Sequence, residues 1–320
     1  MRIASTPTWS RIAAIGEHRP AATLSNDDLA ARGVDTNDEW IRTRTGISRR
    51  HIAGPDETVV SMAIDAAAKA LASAGFTGAD VDLVVLATCT MTRQIPGGAA
   101  RVATGIGAPG VGAFDVNAAC GGFCYALSVA SDAVRVGSAR RAVVIGSERI
   151  TDFIDWPDRG TSILFGDGAA AVVVEGSDQP GIGPVAWGSD GDSYTSVWIP
   201  EDDWAIRMDG QAVFRWATTH LAPVAQQACE LAGVELSELN AFVPHQANVR
   251  IIDALARSLK LPDHVVVARD IATTGNTSAA SVPLALSSLV SAGEVSSGDL
   301  ALLLAFGAGL TYAGQVVRIP

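Results

Sequence analysis

Two stretches of the chain show the same order of apolar and polar positions. Residues 75–85 (GFTGADVDLVV) and residues 233–243 (GVELSELNAFV) each read as a helix end at glycine, a polar loop with an acidic residue, and a buried strand. An alanine-rich helix is predicted before each stretch, from about Ala66 in the first case and from about Phe214 in the second. The pattern therefore predicts two related halves.

Later elements continue this repeat in the same order. The apolar strand 142–146 corresponds to 301–305, and the strand 169–174 corresponds to 310–317. Before these strands in each half, Phe114-Asp-Val116 and Arg269-Asp-Ile271 precede two turns at nearly the same spacing. Those turns contain Cys120 and Asn276, and we expect these two residues to occupy roughly equivalent places.

Helices that alternate with short apolar strands predict an α/β fold, with one mostly parallel sheet per half and helices on both faces of each sheet. The turn-rich segment near Pro180 to Gly188 separates a half at residues 1–180, which carries a substantial insertion, from a half at 181–320. Residues at strand ends in both halves are expected to meet at their interface, where ligand sites of α/β proteins lie.

Composition narrows the class of protein. The 320 residues are 48% hydrophobic and 18% charged, which suits a large core, and the net charge of −11 disfavours nucleic acid as a partner. No apolar run approaches the ~20 residues of a membrane span, and the N-terminus lacks the features of a signal peptide, so we expect a cytoplasmic protein. Four scattered cysteines and five histidines show no disulfide framework and no zinc spacing, so neither metal nor redox cofactor is expected.

The strongest candidate for chemistry is Cys120. Gly121 and Gly122 leave room for an acyl group beside the thiol, and the predicted core helix from Phe123 to Val134 directs its N-terminus toward the sulfur. We expect this helix terminus to give the thiol thiolate character. A cysteine by itself fits a small buried core residue equally well, but these neighbours favour a nucleophile for thioester chemistry.

Two polar residues are candidates to assist the thiol. His245 follows a predicted strand in Pro-His-Gln-Ala-Asn, where the adjacent polar groups favour a functional histidine over a structural one. Asn276 lies in Thr-Gly-Asn-Thr-Ser, which alone indicates only a turn or helix cap, and its place in the repeat strengthens it. The glycine-rich turn at 305–310 can direct an N–H toward a thioester oxygen. Asp167, between two glycines, is interpreted as structural.

Seven motifs in order resemble the β-ketoacyl-acyl carrier protein synthase III family of the thiolase superfamily, nearly end to end. They are residues 38–46 (DEWIRTRTG), 118–123 (AACGGF), 158–160 (DRG), 165–168 (FGDG), 243–248 (VPHQAN), 274–281 (TGNTSAAS) and 306–309 (FGAG). The resemblance implies a thiolase-like five-layered α-β-α-β-α fold from two duplicated halves, usually as a homodimer.

The resemblance also implies a reaction that starts fatty acid biosynthesis. Cys120 would take an acyl group from acyl-CoA, a substrate rather than a cofactor, and then yield it to the carbanion formed when malonyl-acyl carrier protein loses CO2. His245 and Asn276 would stabilise the enolate as neutral hydrogen-bond donors, and the backbone N–H groups of Cys120 and Ala308 would hold the tetrahedral oxyanion.

Further roles follow from the same resemblance. The CoA site would fall on Trp40, Arg44, Arg159 and Asn248, with Thr36 near the adenine and with Trp40 and Arg159 on its two faces. An acidic carrier protein would dock on a basic patch of Arg250 with Arg215, Arg257 and Lys260. Ile95 falls where the family places a gate of the acyl pocket, often across the dimer. Its size suggests that the pocket accepts more than acetyl, and the chain length of the primer stays open. Segment 193–204 matches no family pattern and is expected to border the pocket.

Other functions stay open at this stage. A primer synthase of a polyketide pathway would use the same residues, and the sequence hardly separates it from a fatty-acid enzyme. A cysteine thioester hydrolase would need a more basic imidazole and access of water to the acyl-enzyme. A thiolase is disfavoured because no cysteine follows Cys229. A non-catalytic paralogue is disfavoured because Cys120, His245 and Asn276 are all present.

Overall fold

The computed structural model describes residues 8–320. The strands are β1 (Trp9–His18), β2 (Thr23–Ser25), β3 (Arg49–His51), β4 (Leu83–Ala87), β5 (Gly112–Val116), β6 (Arg141–Glu148), β7 (Gly168–Ser177), β8 (Ile182–Ser189), β9 (Val197–Trp198), β10 (Arg207–Met208), β11 (Ala241–Pro244), β12 (Val266–Val267), β13 (Leu300–Gly307) and β14 (Thr311–Arg318). The helices are α1 (Asn26–Ala31), α2 (Asp38–Thr45), α3 (Val59–Ser73), α4 (Ala99–Gly105), α5 (Gly122–Arg135), α6 (Arg159–Ser162), α7 (Gly210–Ala232), α8 (Val249–Leu259), α9 (Ile271–Thr274) and α10 (Ser281–Ser291).

The two large sheets share one topology. The first has the strand order β1-β7-β6-β4-β5 and the second has the order β8-β14-β13-β11-β12. In the first sheet β6, β4 and β5 are parallel, β7 pairs antiparallel with β6, and β1 pairs antiparallel with β7. The second sheet repeats this pattern with β13, β11 and β12, then β14, then β8. The predicted fold of two duplicated halves is confirmed. Strands of the first sheet lie between residues 9 and 177, and strands of the second lie between residues 182 and 318.

Helices α5 and α10 lie between the two sheets and contact both. Their residues are buried around most of the helix, and the small side chains Ala126 and Ala130 in α5 and Ala285 in α10 allow close packing on either side. Helices α3 and α4 cover the outer face of the first sheet, and α7 and α8 cover that of the second. The order of layers is therefore α-β-α-β-α.

The structure corrects one detail of the repeat. The segment that corresponds to β5 is β12, whereas Arg269-Asp-Ile271 leads into the short helix α9, which the first half lacks. Asn276 accepts a hydrogen bond from the N–H of Ser278 as Asn117 does from Ala119, and a three-residue 3-10 turn follows each asparagine. Cys120 is the middle residue of the first turn, so its counterpart is Ala279. The expected equivalence of Cys120 and Asn276 was wrong.

Two observations concern the whole described chain. Within residues 8–320, no helix has both the length and the apolar composition needed to cross a membrane. Over the same residues, no cluster of three or more His, Cys, Asp or Glu side chains could hold a metal ion. The four cysteines are free thiols.

Candidate active site

A cavity of about 520 Å³ lies where the two halves meet. Cys120 from the first half and His245 and Asn276 from the second all line it. Its remaining wall is largely apolar and includes Ile150, Phe153, Leu164, Ile206, Met208 and Phe306. The structure therefore brings the three predicted reactive side chains to one site, within apolar walls that suit an acyl chain.

Cys120 lies in the 3-10 turn Ala119–Gly121, directly before α5. Ala119 has a φ of 45°, a left-handed conformation that sets the sharp change of direction before the thiol. Burial in the cavity raises the pKa of the Cys120 thiol to about 12, although a hydrogen bond with Ser278 opposes this effect. The expectation of thiolate character is therefore not met, because burial favours the neutral thiol.

His245 follows β11 and is 2% exposed. Its backbone N–H donates to the carbonyl of Leu304 at 2.7 Å, and its ring Nδ1 lies 2.6 Å from Ser281 Oγ. That hydroxyl oxygen accepts from the N–H of Gln246 at 3.4 Å, and within residues 8–320 Nδ1 is the one acceptor in reach of its proton. We therefore assign the hydroxyl proton to the bond with Nδ1 and the imidazole proton to Nε2. Burial lowers the pKa of His245 to about 3. The ring is therefore a neutral hydrogen-bond donor.

The Asn276 side chain is fixed by its own turn. Its backbone N–H donates to the carbonyl of Leu164 at 2.8 Å, and its carbonyl accepts from the N–H of Gly166 at 3.0 Å. Its side-chain Oδ1 accepts from the N–H of Ser278 at 2.9 Å. Because the oxygen of the amide is occupied, the NH2 group is the part available to the cavity, as a donor.

Gly307, at the end of β13, passes directly against the nucleophile. A Cβ at this position would lie 2.5 Å from the backbone nitrogen of Cys120, so only glycine allows the approach. Gly307, Ala308 and Gly309 line the cavity together with Cys120. Across residues 8–320, neither the Cys120 N–H nor the Ala308 N–H has a backbone acceptor outside its own element. Two donors are thus available beside the thiol.

The residues expected to hold CoA lie near the mouth of this cavity. The guanidinium carbons of Arg44 and Arg159 lie 4.8 and 4.6 Å from the ring centre of Trp40. Asn248 lines the cavity, caps α8 through the N–H of Arg250, and donates to the carbonyl of Arg44 at 3.1 Å. The direct contact between Arg159 and Trp40 leaves no room for adenine between them, so the expected sandwich requires Arg159 to turn away.

Thr36 precedes this group in the chain. Its hydroxyl is buried and has no hydrogen-bond partner in the described part of the chain. A buried hydroxyl without a partner is costly, so a ligand group that pairs with it would gain affinity there.

The four expected docking cations lie on two packed outer helices. Arg215 is on α7, Arg250 and Arg257 are on α8, and Lys260 ends α8; all four are exposed. Within residues 8–320 none of them forms a salt bridge, whereas most other arginines do. The Arg250 guanidinium lies 5.4 Å from the ring centre of Phe214. Arg215 and Arg250 adjoin the cavity-lining residues Val213 and Ile251, whereas Arg257 and Lys260 lie at the opposite end of α8.

Ile95 does not line the cavity of its own chain. Its side chain is 89% exposed, in the loop before α4. Segment 193–204 does reach the cavity, through Val197, Trp198 and Ile199. Trp204 is exposed, and Asp203 binds Arg207 at 2.6 Å.

Sequence reasoning missed several residues around the site. Ser281 contacts His245, Ser278 contacts both Asn276 and the thiol region, and Cys89 lines the cavity near Cys120. Behind them, Glu148 is completely buried. Ser278 and Ser281 lie in the quoted motif 274–281, but no local pattern indicated Glu148, since its partners are distant in the chain. Asp167 binds the backbone of Ala53 and Thr151, outside the cavity.

Comparisons with known proteins agree on one family. A family model described as 3-oxoacyl-(acyl-carrier-protein) synthase III matches residues 114–191, and a model of its C-terminal part matches residues 229–319. Beta-ketoacyl-(acyl-carrier-protein) synthase III 4 of Streptomyces coelicolor is 54% identical over 314 residues, which cover 97% of this chain and 99% of that protein.

Solved structures give the same result. The crystal structure of the priming β-ketosynthase from the R1128 polyketide biosynthetic pathway is 47% identical, with a TM-score of 0.97 and coverage of 100% of this chain and 98% of that chain. The 3-oxoacyl-(acyl-carrier-protein) synthase III from Aquifex aeolicus is 41% identical, with a TM-score of 0.92 and coverage of 97% and 99%.

Proposed function

The chain belongs to the β-ketoacyl-acyl carrier protein synthase III family, and from this premise we propose that Cys120, His245 and Asn276 perform its chemistry. The protein is an acyltransferase, the initiating condensing enzyme of fatty acid biosynthesis. It uses acyl-CoA and malonyl-acyl carrier protein and yields 3-oxoacyl-acyl carrier protein, CoA and CO2. The observation that carries the assignment of residues is the single apolar cavity shared by the thiol, the neutral imidazole and the amide.

In the first stage the Cys120 sulfur attacks the thioester carbonyl of acyl-CoA. A new carbon–sulfur bond forms to the enzyme, the bond to the CoA sulfur breaks, and the thiol proton leaves with CoA. The thiol is protonated before attack, since burial raises its pKa, so loss of the proton accompanies the reaction. The N–H groups of Cys120 and Ala308 stabilise the tetrahedral oxyanion, and the space that Gly307 leaves beside the Cys120 nitrogen supports this role.

In the second stage the bond to the malonyl carboxylate breaks and CO2 leaves malonyl-acyl carrier protein. The resulting enolate carbon forms a bond to the acyl carbonyl carbon, the bond from that carbon to the Cys120 sulfur breaks, and the sulfur takes up a proton from solvent to restore the thiol. The developing enolate oxygen needs donors that are not themselves charged acids. The low pKa of His245 and the occupied Oδ1 of Asn276 leave one N–H donor on each side chain for this oxygen. Neutral donors that are already fixed in place lower the barrier without reorganisation of solvent.

Binding of the two substrates uses different surfaces. The nucleotide of CoA binds at Trp40 with Arg44 and Arg159, where one aromatic ring and two cations suit adenine and phosphate. Thr36 and Asn248 border this site. The carrier protein docks on Arg215, Arg250, Arg257 and Lys260. Their lack of salt-bridge partners in the described chain leaves them available to acidic side chains.

The assembly is a homodimer, and the protein is cytoplasmic. Strand β5 lies at the edge of the first sheet. Two apolar side chains are exposed in this part of the chain: Phe114 on β5 is 40% exposed, and Ile95 is 89% exposed. A second copy would cover these apolar groups and pair the open edge, and Ile95 would then reach the partner's acyl pocket. Light scattering after size-exclusion chromatography tests this, because a monomer at micromolar concentration would contradict it.

A polyketide priming role is the second candidate, because the R1128 priming ketosynthase superimposes with a TM-score of 0.97. It would keep all three reactive residues and differ in the starter unit and carrier protein. The acyl preference therefore decides between the two.

Intact-mass spectrometry tests the proposed residues and the primer together. The protein is incubated with acyl-CoAs from acetyl to branched and medium chains, and then with malonyl-acyl carrier protein. An acyl adduct that disappears as 3-oxoacyl-carrier protein forms is expected from the wild type, and no adduct is expected from Cys120→Ser. Cys124→Ser is the matched control, since Cys124 is buried in α5 outside the cavity. An adduct in Cys120→Ser, or one discharged only to water, would contradict the proposal.

A further inference from the structure

Behind the cavity wall, the last residue of β6 places a carboxyl group in a fully enclosed site. Glu148 is 0% exposed. Its Oε2 accepts from the hydroxyls of Thr88 at 3.0 Å and Thr90 at 2.5 Å, and its Oε1 accepts from the hydroxyl of Ser278 at 3.0 Å. The backbone N–H groups of Cys89 and Ala279 also donate to it, at 3.2 and 3.4 Å. Three of these neighbours, Cys89, Thr90 and Ser278, line the cavity themselves.

The surrounding hydrogen bonds favour an ionised carboxylate. The Thr90 hydroxyl oxygen accepts from the N–H of Arg149, and the Thr88 hydroxyl oxygen accepts from the N–H of Thr90. Both hydroxyl protons are therefore free to be given to Glu148, as the two backbone protons are. Burial raises the pKa of Glu148, but hydroxyl, thiol and backbone N–H donors all reach its two oxygens, and these hydrogen bonds favour the ionised form.

The duplicated fold shows what this carboxylate replaces. Strands β6 and β13 are both eight residues long, and Ala142 and Ala301 hold the same register in the two sheets. Glu148 therefore corresponds to Gly307. Cys120 corresponds to Ala279 in the same way. The Ala279 N–H, which donates to Glu148, is therefore the counterpart of the Cys120 N–H, which lies beside Gly307. The space in front of the Cys120 N–H is left open by Gly307, whereas the equivalent space in front of the Ala279 N–H is filled by the Glu148 carboxylate.

We propose that Glu148 is a positioning residue, whose carboxylate fills the second copy of the oxyanion site and thereby fixes the Asn276 amide for decarboxylation. The inference rests on the proposed function. The connection runs from Glu148 Oε1 to the Ser278 hydroxyl at 3.0 Å, and from the Ser278 N–H to Asn276 Oδ1 at 2.9 Å. Ser278 has a φ of 50°, a strained conformation that needs such support.

The isosteric change Glu148→Gln tests the charge. An amide NH2 in place of one oxygen would meet hydroxyl or N–H donors, and the bond from Oε1 to the Ser278 hydroxyl is the link to the Asn276 turn, so we expect that turn to shift. A misplacement of about 1 Å can cost roughly 10²-fold in rate. We therefore expect CO2 release from malonyl-acyl carrier protein to fall by about that factor, while acyl transfer from acyl-CoA to Cys120 stays within about threefold.

Two further variants separate positioning from a loss of stability. Glu148→Asp keeps the charge on a shorter side chain and is expected to recover at least about tenfold of the lost decarboxylation. Ser278→Ala keeps the charge but breaks its link to the Asn276 turn. Its decarboxylation is expected to fall more than its acyl transfer, which loses only the Ser278 hydrogen bond at the Cys120 thiol. It also serves as the second test if Glu148→Gln fails to fold.

Asp167→Asn is the matched control. Asp167 is 1% exposed and accepts from the Ala53 N–H at 2.8 Å and from the Thr151 N–H at 3.0 Å, outside the cavity lining. Its variant should lose stability in thermal unfolding without changing the ratio of the two half-reaction rates.

The inference is overturned if Glu148→Gln releases CO2 at the wild-type rate, or if both half-reactions fall by the same factor. It is also overturned if Asp167→Asn changes the ratio as Glu148→Gln does. Failure of the proposed function gives a different result, since the wild type would then neither take up the acyl group nor release CO2.

Discussion

Replacement of Ser281 by alanine should weaken decarboxylation while leaving acyl transfer intact. The Ser281 hydroxyl donates to His245 Nδ1 at 2.6 Å and so keeps the imidazole proton on Nε2, toward the substrate. Without this hydroxyl, the buried ring can hold its proton on either nitrogen. A hydrogen bond of this type contributes about 1–1.5 kcal/mol. Since about 1.4 kcal/mol corresponds to a factor of ten in rate, decarboxylation should fall about tenfold.

The assay measures two rates on the same preparation: release of labelled CO2 from malonyl-acyl carrier protein, and formation of the acyl-enzyme by intact mass. Ser287→Ala is the matched control, because Ser287 is a buried serine on the same helix that does not line the cavity. The reasoning is refuted if Ser281→Ala decarboxylates at the wild-type rate, or if Ser287→Ala loses the same activity. An equal loss of acyl-enzyme formation would also refute it, because the proposed first stage does not use His245.

Three other changes test separate parts of the site. Gly307→Ala should slow acyl-enzyme formation about 10²- to 10³-fold, because its Cβ would lie 2.5 Å from the Cys120 nitrogen; Gly191→Ala, which meets open space, should not. Arg250→Glu should raise the KM for the carrier protein about tenfold at low salt and leave the KM for acyl-CoA unchanged. Arg101→Glu changes another exposed arginine, and an equal rise in the carrier-protein KM for that variant would contradict a local patch. Trp40→Ala should raise the KM for acyl-CoA about tenfold, because it removes the ring on which the adenine would stack, and it should leave the KM for an acyl-pantetheine without nucleotide unchanged.

Much of the fold was predictable because it depends on local patterns. Apolar runs with turn residues on either side gave strands such as β6 and β13, and small residues gave the helices that pack between the sheets. Repetition of those patterns indicated the duplication before any contact was known. The correspondence of Cys120 with Asn276 failed because the inserted helix α9 changes the spacing in the second half, and only the strand register reveals this.

The sequence by itself predicted Cys120, His245 and Asn276 as the reactive residues, since each stands in a motif whose neighbours already indicate a turn at a strand end. Tertiary structure alone decided their chemical state. Burial holds Cys120 as a thiol and His245 as a neutral ring, and burial depends on how both halves pack. The role proposed for Glu148 could also be found only from the tertiary structure. Its partner Ser278 is distant in the chain, so no local pattern could join a carboxylate at the end of one sheet to the turn that carries Asn276.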